Sequence, residues 1–224
     1  MVGENFQQWM TGKKLLASRH HFQWGRKSFH VANSLFGLWL YVFSGASDRF
    51  VILFLAGYFA FNLTIDLARK KFPKFNEKIC RSFAGIMRED ERNRISSASW
   101  YLGSILAIML LFPKDVVILC VLFVAFGDTA AGIIGVYLGR HKISPRISLE
   151  GLAAGFVACF LSTWLFTLFW LPNFRLFGLR AVGFSLAAAT IGTAAEALYK
   201  KLDDNLMIPV LSAPLVFVLM LFFK

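Results

Sequence analysis

The chain has 224 residues, 57% of them hydrophobic, with 25 Phe and 6 Trp, against roughly 45–50% apolar residues in soluble domains. Its formal net charge is +11, yet the Lys and Arg residues fall between apolar blocks instead of across a folded polar face. An ordinary soluble domain is therefore excluded, and so is a nucleic-acid binder.

Residues 1–25 place Phe6, Trp9, Met10, Leu15, Leu16, Phe22 and Trp24 among basic and polar residues. This pattern predicts an amphipathic helix lying in the membrane interface. It lacks the apolar core and small-residue cleavage site of a signal peptide. A spanning helix needs about 20 mostly apolar residues, and seven candidates follow: roughly 29–45, 50–68, 98–112, 115–138, 150–171, 178–199 and 206–223. The first and third are short. Cys80, Cys120 and Cys159 are far apart, and the last two sit in apolar runs, so no disulfide framework is implied.

With the N-terminus inside, 19 of the 24 Lys and Arg residues fall on the cytoplasmic side, as the positive-inside rule requires. Eleven of the thirteen acids fall on that side as well, only Asp48 and Asp115 lying outside. Acids contribute little to the topology rule, so something at the inner face uses both signs of charge. The fold expected is all-α: a polytopic membrane protein of about seven transmembrane helices, with residues 26–224 forming a single transmembrane catalytic domain.

Within "AFGDTAAGIIGVYLGRHKI", Asp128 precedes Arg140 by twelve residues, about 18 Å of helix rise. That puts the carboxylate inside a hydrocarbon core about 30 Å thick, where a bare charge costs a few kcal/mol and normally faces a cavity and a partner. Gly127 and Gly132 weaken the helix on either side, which predicts a loosened segment opening a wet pocket toward the cytoplasm. Glu150, Glu196, Asp203, Asp204 and Asn205 fall on the same side as Arg140, His141 and Lys142. Carboxylates beside basic residues suit a phosphate-bearing ligand with Mg²⁺.

Upstream, "GRKSFH" sets Arg26, Lys27 and His30 at the mouth of the first span, with Lys27 and His30 three residues apart on one face. Asn62 and Asp66 share a face of the second span, with Arg69 beside Asp66. The mixed-charge stretch Met87 to Arg94 reads as a solvated surface. Gly135-x-x-x-Gly139 and Gly151-x-x-x-Gly155 have the spacing of close helix packing. There is no P-loop, no H-E-x-x-H, no G-x-S-x-G and no protein-kinase signature.

"FGDTAAGIIGVYLGRHKI", "SLEG" and "AEALYKKLDDNLMIP", with the opening Arg26-Lys27-Ser28-Phe29-His30, resemble the membrane family of CTP-dependent lipid-alcohol kinases. Dolichol kinase, phytol kinase, yeast-type diacylglycerol kinase and bacterial diacylglycerol or polyprenol kinases belong to it. It is distantly related to the phosphatidate cytidylyltransferases, whose P-G-H-G-G core and D-R-x-D ending are absent. The resemblance implies transfer of the γ-phosphate of CTP to a lipid hydroxyl at the cytoplasmic face, with Mg²⁺. It implies that Asp128, Asp203 and Asp204 hold the metal or order the phosphates. Asp128, Glu150, Glu196, Asp204, Lys27 and His30 would form the catalytic set. Thr129, Arg140, His141, Lys142, Arg146, Ser148 and Asn205 would bind the nucleotide. Family members commonly carry Lys before the [ST]-x-E-G; here Ile147 stands there, with Arg146 one residue earlier.

The partners expected are CTP, a membrane lipid alcohol and the bilayer, with no nucleic acid; self-association is compatible with the sequence. Two other functions fit a membrane bundle with buried acids. One is nucleotidyl transfer to a phospholipid. The other is transport through an acid relay, against which stand the apolar outer halves of the spans, such as 116–125 and 217–223.

Overall fold

The computed structural model describes residues 24–145, 147–171, 174–198 and 203–223. The expected interfacial segment 1–25, apart from its last two residues, lies outside them, as does Arg146. Seven apolar helical segments follow one another. Helix α1 (Trp24–Leu38) runs on through a π-helical turn (Trp39–Phe43). A bend at Gly45, whose φ of 73° suits glycine, leads to Ser47, which caps α2 (Asp48–Lys71) by accepting from the Phe50 N–H. The last turn of α2 carries Arg69, Lys70 and Lys71, the sign that a helix C-terminus favours. Pro73 opens the short α3 (Pro73–Ser82). After a 3-10 turn (Glu89–Glu91), Ser96 caps α4 (Ser97–Leu111).

Pro113 then starts a single apolar rod, Lys114–Tyr137. It consists of α5 (Lys114–Leu122), a π-helical segment (Phe123–Asp128) and α6 (Thr129–Tyr137). Every residue from Asp115 to Ala125 is buried, so this rod is the axis of the bundle. A two-stranded hairpin, β1 (Lys142–Ser144) and β2 (Ile147–Ser148), separates it from α7 (Leu149–Phe169). Its antiparallel register pairs Lys142 with Ser148 and Ser144 with Ile147. Helices α8 (Gly178–Leu198) and α9 (Asp204–Phe223) complete the set.

Five of these helices are long and apolar enough to cross a membrane, and α4 is a shorter apolar helix. Large apolar side chains face outward around the bundle, among them Leu53, Leu111, Leu179 and Phe222, each more than 70% exposed. A soluble protein would not tolerate such a surface. The protein is an all-α, polytopic membrane protein, and the expected spans match the helices to within a few residues.

Close packing positions the axis. Side chains added at Gly151 or Gly155 would meet Ala131 at 2.9 Å and 3.1 Å, so α6 and α7 approach through the small residues that the spacing predicts. At Gly127 a Cβ would collide with the Cys159 sulfur. The π segment touches α1, α7, α8 and α9. It is the point of the fold where most elements converge, and Asp128 is its last residue.

The stretch Met87 to Arg94 departs from the sequence reading at two positions. Glu89, Arg92, Asn93 and Arg94 are exposed, but Met87 and Glu91 are buried. The cause is Arg69, itself 3% exposed, whose guanidinium organises the connection from α2 to α4. It donates to Asp66 Oδ1 at 2.7 Å, Asn76 Oδ1 at 3.1 Å and the carbonyls of Glu91 and Arg92 at 2.9 Å and 3.2 Å. The second oxygen of Asp66 accepts from the Ser96 N–H and from the hydroxyls of Ser96 and Ser99, at 2.7–2.9 Å. A guanidinium can satisfy so many acceptors at once because its donors form a rigid fork.

Removing one partner of a buried ion pair strands the other charge. Asp66→Ala should therefore lower unfolding free energy by about 3–5 kcal/mol, measured by denaturation in detergent. A loss below about 1 kcal/mol would show that the connection is held by something else.

Candidate functional site

Lys27 and Asp128 meet although 101 residues separate them. The Lys27 ammonium lies 2.5 Å from Asp128 Oδ2 and also donates to the Asp128 carbonyl at 2.9 Å. Both side chains are about 15% exposed. The carbonyl contact falls where the π segment passes into α6, a junction at which the regular helix ladder is interrupted. One cation thus satisfies both the side chain and the backbone of Asp128.

Further ionic groups surround this pair. The charges acting most strongly on His30 are those of Asp128, Lys27, Arg26 and Asp203. Glu196 feels Asp128, Lys27 and Asp204. Asp204 feels Asp128, Asp203, Lys27 and Arg26. Residues from α1, the π segment, α8 and the start of α9 therefore form one electrostatic cluster. The His30 ring packs edge-on against Tyr101 with centroids 4.6 Å apart, and its Nε2 is buried without a hydrogen-bond partner. Thr129 Oγ1 is likewise buried and unpartnered.

The remaining sequence candidates occupy a second group or have structural work. Glu150 accepts from the backbone N–H of His141 at 3.1 Å and lies 2.6 Å from its Nδ1. It pins the Gly139–Lys142 turn, and it is not among the charges acting on the first cluster. Lys142 donates to the Gly135 carbonyl at 3.1 Å, and Arg140, His141 and Lys142 are exposed. Ser148 is buried and caps α7, accepting from the Gly151 N–H. Asp203 caps α9 through the Asn205 N–H, and Asn205 is buried with its carbonyl accepting from Ser104.

Glu91, Ser97 and Tyr101 were not foreseen as part of the site. The Ser97 hydroxyl lies 2.6 Å from Glu91 Oε1 and 2.8 Å from Asp203 Oδ2. A hydroxyl has one proton to donate, so the two carboxyl groups compete for it. Burial pushes the Glu91 carboxyl above the usual carboxylate range, overcoming the opposite pull of Ser97 and Arg26. Ser97 thus links Glu91 to Asp203 across the connection between α2 and α4 and the start of α9. The signal in the sequence was the run Ser96-Ser97-Ala98-Ser99, three hydroxyls at the mouth of an apolar helix.

Among the described residues, no three His, Cys, Asp or Glu side chains gather closely enough to hold a metal by themselves. The donor set is nevertheless of hard oxygen type. It fits an ion such as Mg²⁺ that takes one or two carboxylates and completes its shell with phosphates and water.

Fold and site together define an integral-membrane protein with a mixed-charge polar cluster buried at one end of its helices. No family model and no solved structure matches the chain. Over 204 residues it is 28% identical to the CTP-dependent diacylglycerol kinase 1 of Saccharomyces cerevisiae, covering 84% of this chain and 70% of that one. The Eremothecium gossypii kinase of the same name is 31% identical over 204 residues, with 84% of this chain and 64% of the relative covered. The chain thus spans less than two thirds of that relative's length. For the Schizosaccharomyces pombe kinase the identity is 29% over 202 residues, with coverage of 87% and 92%. By sequence the chain is thus similar to CTP-dependent diacylglycerol kinases.

The upward shift of the Glu91 carboxyl has a measurable consequence. Its folded-state pKa is raised, so the folded protein holds a proton that the unfolded chain has released above about pH 4.3. Stability conferred in the neutral form is full at acid pH and is lost as pH rises through the folded value. In Glu91→Gln a neutral amide replaces the carboxyl and does not titrate. The melting temperature of the wild type should fall relative to E91Q as pH rises toward neutrality, and the two should converge at the acid end. Parallel curves would contradict the assignment.

Proposed function

We propose that this protein is a CTP-dependent lipid kinase that moves the γ-phosphate of CTP onto the hydroxyl of a lipid alcohol, a diacylglycerol or a polyprenol-type isoprenoid. The reaction would use Mg²⁺ and take place at the cytoplasmic membrane face. One observation carries this reading. Lys27 of the R-K-x-x-H run and Asp128 of the G-D-T-A-A run, two motifs remote in sequence, are in contact, and the acids around the D-D-N run share their field. The names of the relatives support CTP and diacylglycerol as substrates.

Phosphoryl transfer depends on positioning and charge neutralisation more than on covalent help. The lipid oxygen attacks the γ-phosphorus, the bond from that phosphorus to the β–γ bridging oxygen breaks, and CDP leaves. The hydroxyl proton passes to Glu196, to Asp204 or to water. Lys27 and Arg26 offset phosphate charge, while Arg140, His141 and Lys142 approach the nucleotide from the exposed turn. Asp128, with Asp204 or Asp203, would hold the Mg²⁺, which when bound would neutralise charge on the β- and γ-phosphates. The basic inner loops favour an inward-facing site, where a soluble triphosphate and a membrane-bound alcohol can meet.

The test is purified protein with CTP labelled at the γ- or α-phosphate, Mg²⁺ and a panel of lipid alcohols. Label from the γ-position should enter lipid, and Asp128→Asn should reduce transfer at least 100-fold while the protein still folds. Transfer of α-label or of cytidine would make the protein a nucleotidyltransferase. Near-normal activity in D128N would remove Asp128 from the site.

A further inference from the structure

Two apolar openings flank α1. One is a cleft of about 210 Å³ between α1 and α2, roofed by α4 and α5 and reaching Gly37, Phe54 and Ile105. At its polar end the Tyr101 hydroxyl is bonded to the Ser34 hydroxyl at 2.8 Å, and the His30 ring lies against Tyr101. This contact separates the cleft from the Lys27–Asp128 pair. The other opening is a groove of about 320 Å³ between α1 and α6. Its α1 wall is built from Lys27, Val31, Ala32 and Leu35, and its α6 wall from Thr129 and Ile133.

The groove changes character along its length. Lys27 and Ser28 on α1 and Thr129 on α6 make one end polar. Ala32 and Leu35, both exposed, make the other end apolar and open to the side of the bundle. Thr129 directly follows Asp128, and its buried Oγ1 has no partner. Trp24 and Tyr137, each 58% exposed, sit together at the polar end, with the indole N–H 3.2 Å from the Tyr137 oxygen. Aromatic residues of this kind mark the level of lipid headgroups. From Lys27 to Leu35 the α1 wall covers about 12 Å.

We propose that the groove between α1 and α6 is the binding site for the acceptor lipid, seating its apolar chain along Val31, Ala32, Leu35 and Ile133 and its hydroxyl at Thr129, beside Asp128. The proposal rests on the kinase reading for the role of the hydroxyl, but the seat for the chain is a separate physical claim. The occupant is a lipid because the lower groove faces the bilayer side of the helices. It is the acceptor because the groove, unlike the cleft, runs without interruption to Lys27.

The experiment uses the full-length protein in lipid nanodiscs containing a diacylglycerol with a mid-chain diazirine. Light should attach the probe to α1 around 31–35 and to α6 around Ile133, with no nucleotide present. Ala32→Trp, which fills the groove from an exposed position, should cut this labelling at least tenfold. In turnover assays it should raise the KM for the lipid at least tenfold and change kcat much less. Gly37→Leu is the counterpart on the other side of α1, where an added Cβ meets nothing within 4 Å; it should leave labelling and lipid KM unchanged. Labelling confined to 33–41 and 51–58, or a lipid KM that responds to G37L and not to A32W, would transfer the site to the cleft and overturn the proposal. Labelling in the groove without γ-phosphate transfer from CTP would uphold the groove and refute the kinase reading.

Discussion

The contact of Lys27 with Asp128 is the interaction on which the rest of the structure depends. A carboxylate at that depth is unfavourable alone, and a lysine at the mouth of an apolar helix would otherwise extend toward the interface. Together they hold α1 against the rod running from Lys114 to Tyr137 and fix where the π segment ends. The convergence of α7, α8 and α9 on that same segment brings Glu196 and Asp204 into the field of the pair. The charged cluster is thus a consequence of one ionic contact placed at the crossing point of the bundle.

A second polar assembly supports the first. Arg69 gathers Asp66, Asn76 and the carbonyls of Glu91 and Arg92, and so turns the segment between α2 and α4 back onto the bundle. Glu91 then reaches Ser97, and Ser97 reaches Asp203 at the start of α9. Two networks therefore approach the acids from different sides: one through α1, and one through a connection whose composition alone would suit solvent. Buried networks of this kind rigidify what they enclose when every member is satisfied. Among the described residues, His30 Nε2 and Thr129 Oγ1 are buried at the cluster without partners, which is where a ligand would supply them.

Much of this was legible in the residues themselves. Hydropathy located the spans because a bilayer accepts only long apolar helices. Asp128 stood out because a carboxylate contrasts with everything around it, and the spacings Gly135-x-x-x-Gly139 and Gly151-x-x-x-Gly155 announced close packing between α6 and α7. The partnership with Lys27 was not legible, since no local rule links residues so far apart. Nor was the burial of Glu91, because a loop dense in both charges looks the same whether water or a guanidinium satisfies it. Ser148 and Asp203 resembled ligand-binding residues by motif; that each also caps a helix was not legible, since it depends on where the helix begins. The short hairpin before α7 escaped notice because two- and three-residue strands leave no periodicity to read.

The most direct measurement is a double-mutant cycle on the central contact, using Lys27→Met, Asp128→Asn and the pair, with unfolding followed in detergent. Residues in contact couple by about 0.5–3 kcal/mol. The account predicts that each single change is costly and that the double variant is destabilised by at least about 1 kcal/mol less than the two combined. Additivity within about 0.5 kcal/mol would mean that Lys27 and Asp128 act independently, and the site as described here would not exist.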